Sequence, residues 1–97
     1  MLIRSQDKTA LVKFENIVVN LKLPDLLSVI CWSLQDAQRS GGYFILGKYS
    51  TKAKAMKVLD IIQEAYCEFM AVRNDDMWNG KESVFLMPED SEVESNE

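Results

Sequence analysis

The stretch that decides the fold is LGKYSTKAKAMKVLDIIQEAY, residues 46–66, in which a strand passes directly into a helix. Ser50 or Thr51 can accept hydrogen bonds from the free amides of the first helical turn. Apolar residues then recur at i, i+3, i+4 and i+7 spacing, which places them on one face of a helix. The helix is expected to run from about Thr51 to about Ala71. Its apolar face consists of Ala55, Val58, Leu59, Ile62, Ala65, Tyr66 and Phe69.

Short apolar and β-branched runs lie on both sides of this helix and predict strands. The first covers residues 2–4, and the second runs from Leu11 to Val19 with a kink at Glu15-Asn16. Residues 26–35 and 43–50 form an antiparallel hairpin around the turn DAQRSGG, residues 36–42. The last strand covers residues 83–87, after a turn around Asn79-Gly80. The prediction is an α+β fold in the order β-β-β-β-α-β, an antiparallel β-sheet of about five short strands with one long amphipathic helix packed on it.

Charge is unevenly distributed along the chain of 97 residues. Residues 1–57 carry nine Lys or Arg against four Asp or Glu, a net charge of +5, whereas residues 58–97 carry two against eleven, a net charge of −9. The last ten residues contain five acids and no base. The prediction is a single domain over residues 1–87, followed by a solvated, disordered acidic tail over residues 88–97.

The composition excludes several kinds of chemistry. The chain has no histidine, so it lacks Ser-His-Asp and Cys-His catalysis and His-ligated zinc. Cys31 and Cys67 are too few for an all-cysteine zinc site, and no glycine-rich phosphate loop is present. The sequence therefore predicts a protein with no catalytic residues, no cofactor and no metal. With no apolar run long enough to span a membrane and no export signal, reduced thiols in the cytoplasm are expected.

The hydrophobic content exceeds what one helix on one sheet face needs. The run from Leu26 to Leu34 is apolar on both sides, so one set of its side chains faces away from the helix. One interpretation is that the sheet curls around the helix and buries both sets. The other is an interface, with a partner protein or a second copy of the chain, built on Ile30 and Trp32 and with Trp78 as a further anchor.

Three segments carry a resemblance to a known group of proteins. IRSQDK at residues 3–8, LGKYSTKAKAMKVLDIIQEAY at 46–66 and VFLMPEDSEV at 84–93 resemble a group of small uncharacterised proteins of Firmicutes genomes, prophages and mobile elements. The resemblance covers both ends and the main helix, and residues 15–42 do not take part in it. It implies no activity, cofactor or site residue. It does imply a phage or mobile-element setting, in which small acidic proteins often bind a host protein.

Acidic residues on the outer side of the helix suggest what such a protein binds. Asp60, Glu64 and Glu68 are spaced one helical turn apart, and Asp75 and Asp76 extend the negative region. Carboxylates spaced like phosphates suit an inhibitor that occupies the basic channel of a nucleic-acid enzyme, for example a host defence nuclease such as a CRISPR effector. The alternative is that these acids only keep the helix soluble.

Two further functions stay open at this stage. The surplus apolar strand face suits a homodimeric accessory protein. The basic first half suggests nucleic-acid binding through residues such as Arg4, Lys8, Lys13 and Arg39, but scattered bases and a net charge of −4 disfavour it. Membrane binding is not expected.

The polar segment IRSQDK also has two interpretations. Its Ser, Gln and Asp side chains suit a turn between two strands, where they satisfy free backbone groups. Alternatively, Arg4, Gln6 and Asp7 form a polar patch that contacts a partner.

Overall fold

A computed structural model of the chain describes residues 1–34, 42–73 and 84–94. These residues form six strands and one long helix, so the α+β class is confirmed. The helix α1 spans Lys52–Arg73. The strands are β1 (Leu2–Arg4), β2 (Leu11–Lys13), β3 (Ile17–Leu21), β4 (Ser28–Ser33), β5 (Phe44–Lys48) and β6 (Val84–Leu86).

The strands form two three-stranded sheets instead of the single sheet that the sequence predicts. The first sheet has the order β2-β1-β6, in which β1 pairs antiparallel with β2 and parallel with β6. The second has the order β3-β4-β5 and is antiparallel throughout. A backbone hydrogen bond of 2.7 Å from the Gln6 N–H to the Leu46 carbonyl links the two sheets.

The break between the sheets lies where the sequence predicts only a kink in one strand. Phe14–Asn16 form a short 3-10 turn, so that the predicted strand over residues 11–19 becomes β2 in the first sheet and β3 in the second. A 3-10 turn interrupts the extended backbone over three residues and redirects the chain. The two halves of this run consequently pair with different strands, β2 with β1 and β3 with β4.

The helix packs on the sheets with the face that the spacing predicts. Ala55, Val58, Ile62 and Phe69 are buried, and Leu59, Ala65 and Tyr66 are partly buried against the same core. Thr51 caps the helix, because its Oγ1 accepts a hydrogen bond of 3.1 Å from the Lys54 N–H. The strands contribute the rest of the core, which includes Ile3, Leu21, Val29, Cys31 and Leu46.

The prediction that a solvated tail begins at Pro88 is corrected by the structure for residues 88–93. A 3-10 turn over Asp90–Glu92 carries a reciprocal capping box between Glu89 and Glu92. Val93 follows this turn and is 3% exposed within the core. The burial of Val93 and the hydrogen bonds of Pro88 and Asp90 hold this acidic segment on the domain, and Glu94 is the first exposed residue after Val93.

Several predictions fall outside the described residues. The turn at residues 36–41, the turn around Asn79-Gly80, and Arg39, Asp75, Asp76 and Trp78 all lie there, as do the last three residues of the predicted tail. Within the described ranges, no helix has the length and apolar character needed to cross a membrane.

Candidate protein-binding site

The segment IRSQDK forms a closed turn between β1 and β2. The Asp7 Oδ1 atom accepts hydrogen bonds from the Ser5 hydroxyl at 2.7 Å, the Thr9 hydroxyl at 2.7 Å and the Thr9 N–H at 3.0 Å. Hydrogen bonds from the Thr9 and Ser5 hydroxyls lower the pKa of Asp7 to about 2, because they stabilise its charged form. The Arg4 guanidinium donates twice to the Lys8 carbonyl, at 2.9 and 3.1 Å.

Gln6 extends from this turn to two other segments, the end of β5 and the C-terminal segment. Its Nε2 donates to the carbonyls of Lys48 and Pro88, each at 3.1 Å, while its Oε1 accepts from the Lys48 N–H at 2.9 Å. The turn interpretation of the segment is therefore confirmed. That Arg4, Gln6 and Asp7 also contact a partner stays a prediction.

Tyr49 completes the junction of the three segments. Its hydroxyl donates to the Pro88 carbonyl at 2.8 Å, and burial, followed by the nearby carboxylates of Glu89 and Asp90, raises the pKa of this phenol. Asp90 in turn accepts from the Ser50 N–H at 2.7 Å and lies 3.6 Å from the Lys54 ammonium. These contacts join the turn after β1, the end of β5, the start of α1 and the C-terminal segment, so the polar residues of this junction serve the fold.

The outer side of α1 carries the predicted acidic residues. Asp60, Glu64 and Glu68 are all exposed, and they line a shallow concavity of about 480 Å³ together with Lys57, Gln63 and Cys67. In the described part of the chain, the ion pairs of acidic side chains are those of Glu15 and Asp90, so these three carboxylates face solvent. The structure brings the three together as the spacing predicts.

Ile30 and Trp32 lie on the face of the second sheet that points away from the helix. Val29 and Cys31 face the core, and alternation along β4 puts Ile30 and Trp32 on the opposite side. Their cross-strand partners there are Ile45 for Ile30 and Val18 for Trp32. Ile30 is only 7% exposed, so the chain itself covers it, whereas Trp32 is half-buried. That these two residues bind a partner stays a prediction.

The first sheet presents a more exposed apolar surface that the sequence interpretation missed. Ile3 and its neighbours Val12 and Phe85 face the core. Alternation therefore turns the two adjacent rows outward. One row is Leu11–Arg4–Leu86 and the other is Lys13–Leu2–Val84, in strand order β2-β1-β6. We call these six positions the outer face of the first sheet.

The outer face of the first sheet is apolar at four of its six positions. Leu11 is 55% exposed, Leu86 is 57% exposed and Val84 is 49% exposed, while Leu2 between them is partly exposed. Arg4 and Lys13 supply two positive charges. Isolated exposed leucines are ordinary, but Leu11 on β2, Leu2 on β1, and Val84 and Leu86 on β6 place apolar side chains on one face of all three paired strands, a surface of the kind that binds proteins. The sequence signal for this surface is the alternation of inward and outward side chains along β2 and β6. A strand of three residues is too short to make that alternation clear.

A smaller apolar groove lies between α1 and the chain around β3. It has a volume of about 230 Å³ and is lined by Phe14, Val19, Leu59, Ile62, Gln63, Tyr66 and Cys67. The Phe14 and Tyr66 rings stack against each other in it, with centroids 4.7 Å apart. Three of its seven lining residues, Leu59, Ile62 and Tyr66, belong to the core-facing side of the helix.

The two cysteines differ in environment and neither is in a disulfide. Cys31 is buried, and desolvation raises the pKa of its thiol, whereas Cys67 is exposed on α1. Among the described residues, no group of three or more Cys, Asp or Glu side chains is arranged to hold a metal ion.

Comparison of the chain with protein-family models, with curated proteins and with solved structures gave no match.

Proposed function

We propose that this protein is a non-catalytic module that binds another protein, and that it binds through the outer face of the first sheet. The observation that carries the proposal is the exposure of Leu11 on β2 and of Val84 and Leu86 on β6, each about half exposed, on the two strands that flank β1. Burying such a surface removes apolar area from water, which is the main driving force of protein association. The absence of histidine from the chain agrees with a role that needs no proton transfer near neutral pH.

The resemblance to proteins of prophages and mobile elements supports a partner from the host or from the phage. The same face can also pair with a second copy of the chain, which is the homodimer alternative. Light scattering on a size-exclusion column distinguishes the two, because a homodimer persists when no other protein is present.

A capture experiment tests the proposal. The tagged wild-type chain is compared with the double variant Leu11→Thr, Leu86→Thr in a bacterial lysate of the source. Threonine removes the apolar surface while keeping a high strand propensity. Met56→Gln is the matched control, because Met56 is also about half exposed but lies on α1.

We expect one stoichiometric protein on the wild-type chain and on the Met56→Gln control, and its loss from the double variant. Thermal unfolding of all three proteins is recorded first, and we expect similar midpoints. Equal capture by the wild-type chain and the double variant contradicts the proposed site.

The acidic side of α1 supports a second candidate function, that of an inhibitor which occupies a basic nucleic-acid channel. The supporting observation is that Asp60, Glu64 and Glu68 are exposed together around one concavity. In this case the captured protein is a nucleic-acid enzyme, such as a defence nuclease, and about 0.5 M salt releases it, because exposed charges are screened at that ionic strength. The triple variant Asp60→Asn, Glu64→Gln, Glu68→Gln fails to inhibit it, whereas Leu11→Thr, Leu86→Thr still does.

A further inference from the structure

We infer that the partner surface for the outer face of the first sheet combines apolar side chains with carboxylates. This inference rests on the proposed function and names the chemistry of the partner at the same site. The outer face belongs mostly to the basic first half of the chain. Its two charged positions, Arg4 and Lys13, are both basic, although the protein carries a net charge of −4.

One of the two basic residues lies between apolar ones, and the other lies at the end of its row, beside an apolar one. Arg4 lies between Leu11 and Leu86 in one row, and Lys13 pairs with Leu2 in the next row. A partner that covers Leu11 and Leu86 must therefore also cover the stem of Arg4. Removing a cation from water is costly unless an acidic group pairs with it. A binding surface that matches this face consequently supplies at least one carboxylate.

The Arg4 guanidinium is held in place for such a contact. Its Nε and Nη2 atoms donate to the Lys8 carbonyl at 3.1 and 2.9 Å, which fixes the plane of the group at the turn between β1 and β2. The remaining N–H donors, including both on Nη1, are left for another acceptor. Charge-assisted pairs between guanidinium and carboxylate groups are stronger than neutral hydrogen bonds.

The same pattern argues against a second copy of the chain as the occupant. Two copies that meet through this face bring two arginines and two lysines together, and none of the twelve facing positions is acidic. Like charges on both sides of an interface repel each other and so oppose the association of two copies. A different protein with Asp or Glu among its apolar contact residues lacks this repulsion.

The test uses random peptides displayed on phage as the probe. The wild-type chain is the target of one selection, and the Lys13→Glu variant is the target of a second. Lys13 is exposed and makes no hydrogen bond to another side chain in the described part of the structure, but its charge acts on Glu15, so the thermal midpoint of Lys13→Glu is recorded before the selection and is expected to stay close to that of the wild type. Lys57→Glu is the control for the change in net charge, because Lys57 is exposed on the acidic side of α1.

We expect peptides selected on the wild-type chain to combine apolar residues with Asp or Glu. They should bind Lys13→Glu about tenfold more weakly and Lys57→Glu nearly as well as the wild type, because reversing one interface charge turns an attraction into a repulsion. Selection on Lys13→Glu should then favour peptides with Lys or Arg. Peptides selected on the wild-type chain should lose binding to Leu11→Thr, Leu86→Thr.

Failure of the inference is distinguishable from failure of the proposed function. Peptides that need Leu11 and Leu86 but show no acidic enrichment, and that bind Lys13→Glu unchanged, overturn the inference and leave the proposed site in place. Peptides that ignore the leucine substitutions, or a selection that yields no binder, overturn both. A wild-type dimer that Leu11→Thr, Leu86→Thr dissociates overturns the inference in favour of self-association.

Discussion

The side chain of Gln6 hydrogen-bonds to the backbone of Lys48 as a neighbouring strand does. Its Oε1 accepts from the Lys48 N–H at 2.9 Å and its Nε2 donates to the Lys48 carbonyl at 3.1 Å, although the two residues are 42 positions apart. The same Nε2 also donates to the Pro88 carbonyl. One carboxamide therefore links the first turn, the end of β5 and the C-terminal segment.

Replacement of Gln6 by alanine should lower the free energy of unfolding by about 1–3 kcal/mol, because it removes these hydrogen bonds and leaves backbone groups of Lys48 without their partner. Urea denaturation followed by tryptophan fluorescence measures this change. Gln63→Ala is the control, since Gln63 is exposed on α1. Identical midpoints for the two variants would contradict a structural role for Gln6.

Asp7 should make the stability of the protein depend on pH in the acid range. Its pKa falls from 3.8 to about 2 on folding, so its charged form stabilises the fold above pH 3.8, and this contribution disappears as the pH falls through about 2. The melting temperature of the wild type should drop more steeply over this interval than that of Asp7→Asn.

Asp60→Asn serves as the control for Asp7, because it removes a carboxylate from the exposed side of α1. It should keep the wild-type slope of melting temperature against pH. If Asp7→Asn also follows the wild-type slope, the hydrogen bonds from Ser5 and Thr9 do not stabilise the charged carboxylate.

Val93 should contribute to stability in spite of its place in an acidic segment. It is 3% exposed within the core, so Val93→Ala should lower the free energy of unfolding by about 1–3 kcal/mol through lost apolar burial and the cavity that remains. Glu94→Ala, at the exposed neighbouring position, should change it little. If the chain were a solvated tail from Pro88 onward, the two variants would have equal urea midpoints. Equal midpoints would therefore contradict the packing of this segment.

Gly47 should not tolerate a side chain while Tyr49 keeps its hydroxyl. A Cβ atom at Gly47 lies 2.9 Å from the Tyr49 hydroxyl oxygen and 3.1 Å from a ring carbon, and the hydroxyl is held by the Pro88 carbonyl. Gly47→Ala should therefore destabilise the fold by about 1–3 kcal/mol, as overpacking usually does.

A double-mutant cycle tests this clash. Gly47→Ala should cost less in a Tyr49→Phe background than in the wild type, because the closest contact is with the hydroxyl oxygen that Phe lacks. Strict additivity of the two substitutions in chemical denaturation would mean that the cost of alanine does not come from the hydroxyl oxygen, and would leave the ring carbons, which Phe keeps, or the backbone as its source.

The two thiols should react at different rates with a disulfide reagent in the native protein. Exposed Cys67 should react at once, while buried Cys31, whose pKa is raised by desolvation, should react only as the chain unfolds. The variant Cys67→Ser should show no fast phase, and in denaturant it should show one equivalent of reactive thiol, that of Cys31. A fast phase that survives in Cys67→Ser would show that β4 is open to solvent.

The sequence by itself determined the position of the helix, the strand-forming segments and the α+β class. Each of these follows from side-chain periodicity within a short segment, which is a few turns of a helix or a few residues of a strand. The apolar face from Ala55 to Phe69 and the cap at Thr51 are local properties of the chain. The exposure of Asp60, Glu64 and Glu68 follows from the same helical spacing. In β4, alternation placed Ile30 and Trp32 on the face opposite Val29 and Cys31, and the tertiary structure decided which of these two faces packs on the helix.

Only the tertiary structure decided how the strands are divided and what the polar segments do. The 3-10 turn at Phe14–Asn16 separates β2 and β3, which belong to different sheets. The parallel pairing of β1 with β6 places Leu86 beside Arg4, on the other side of Arg4 from Leu11. These neighbours are separated by most of the chain, and strands of three residues carry too little pattern to specify a partner. The binding face and the contacts of Gln6 exist only after that pairing, since they depend on long-range register.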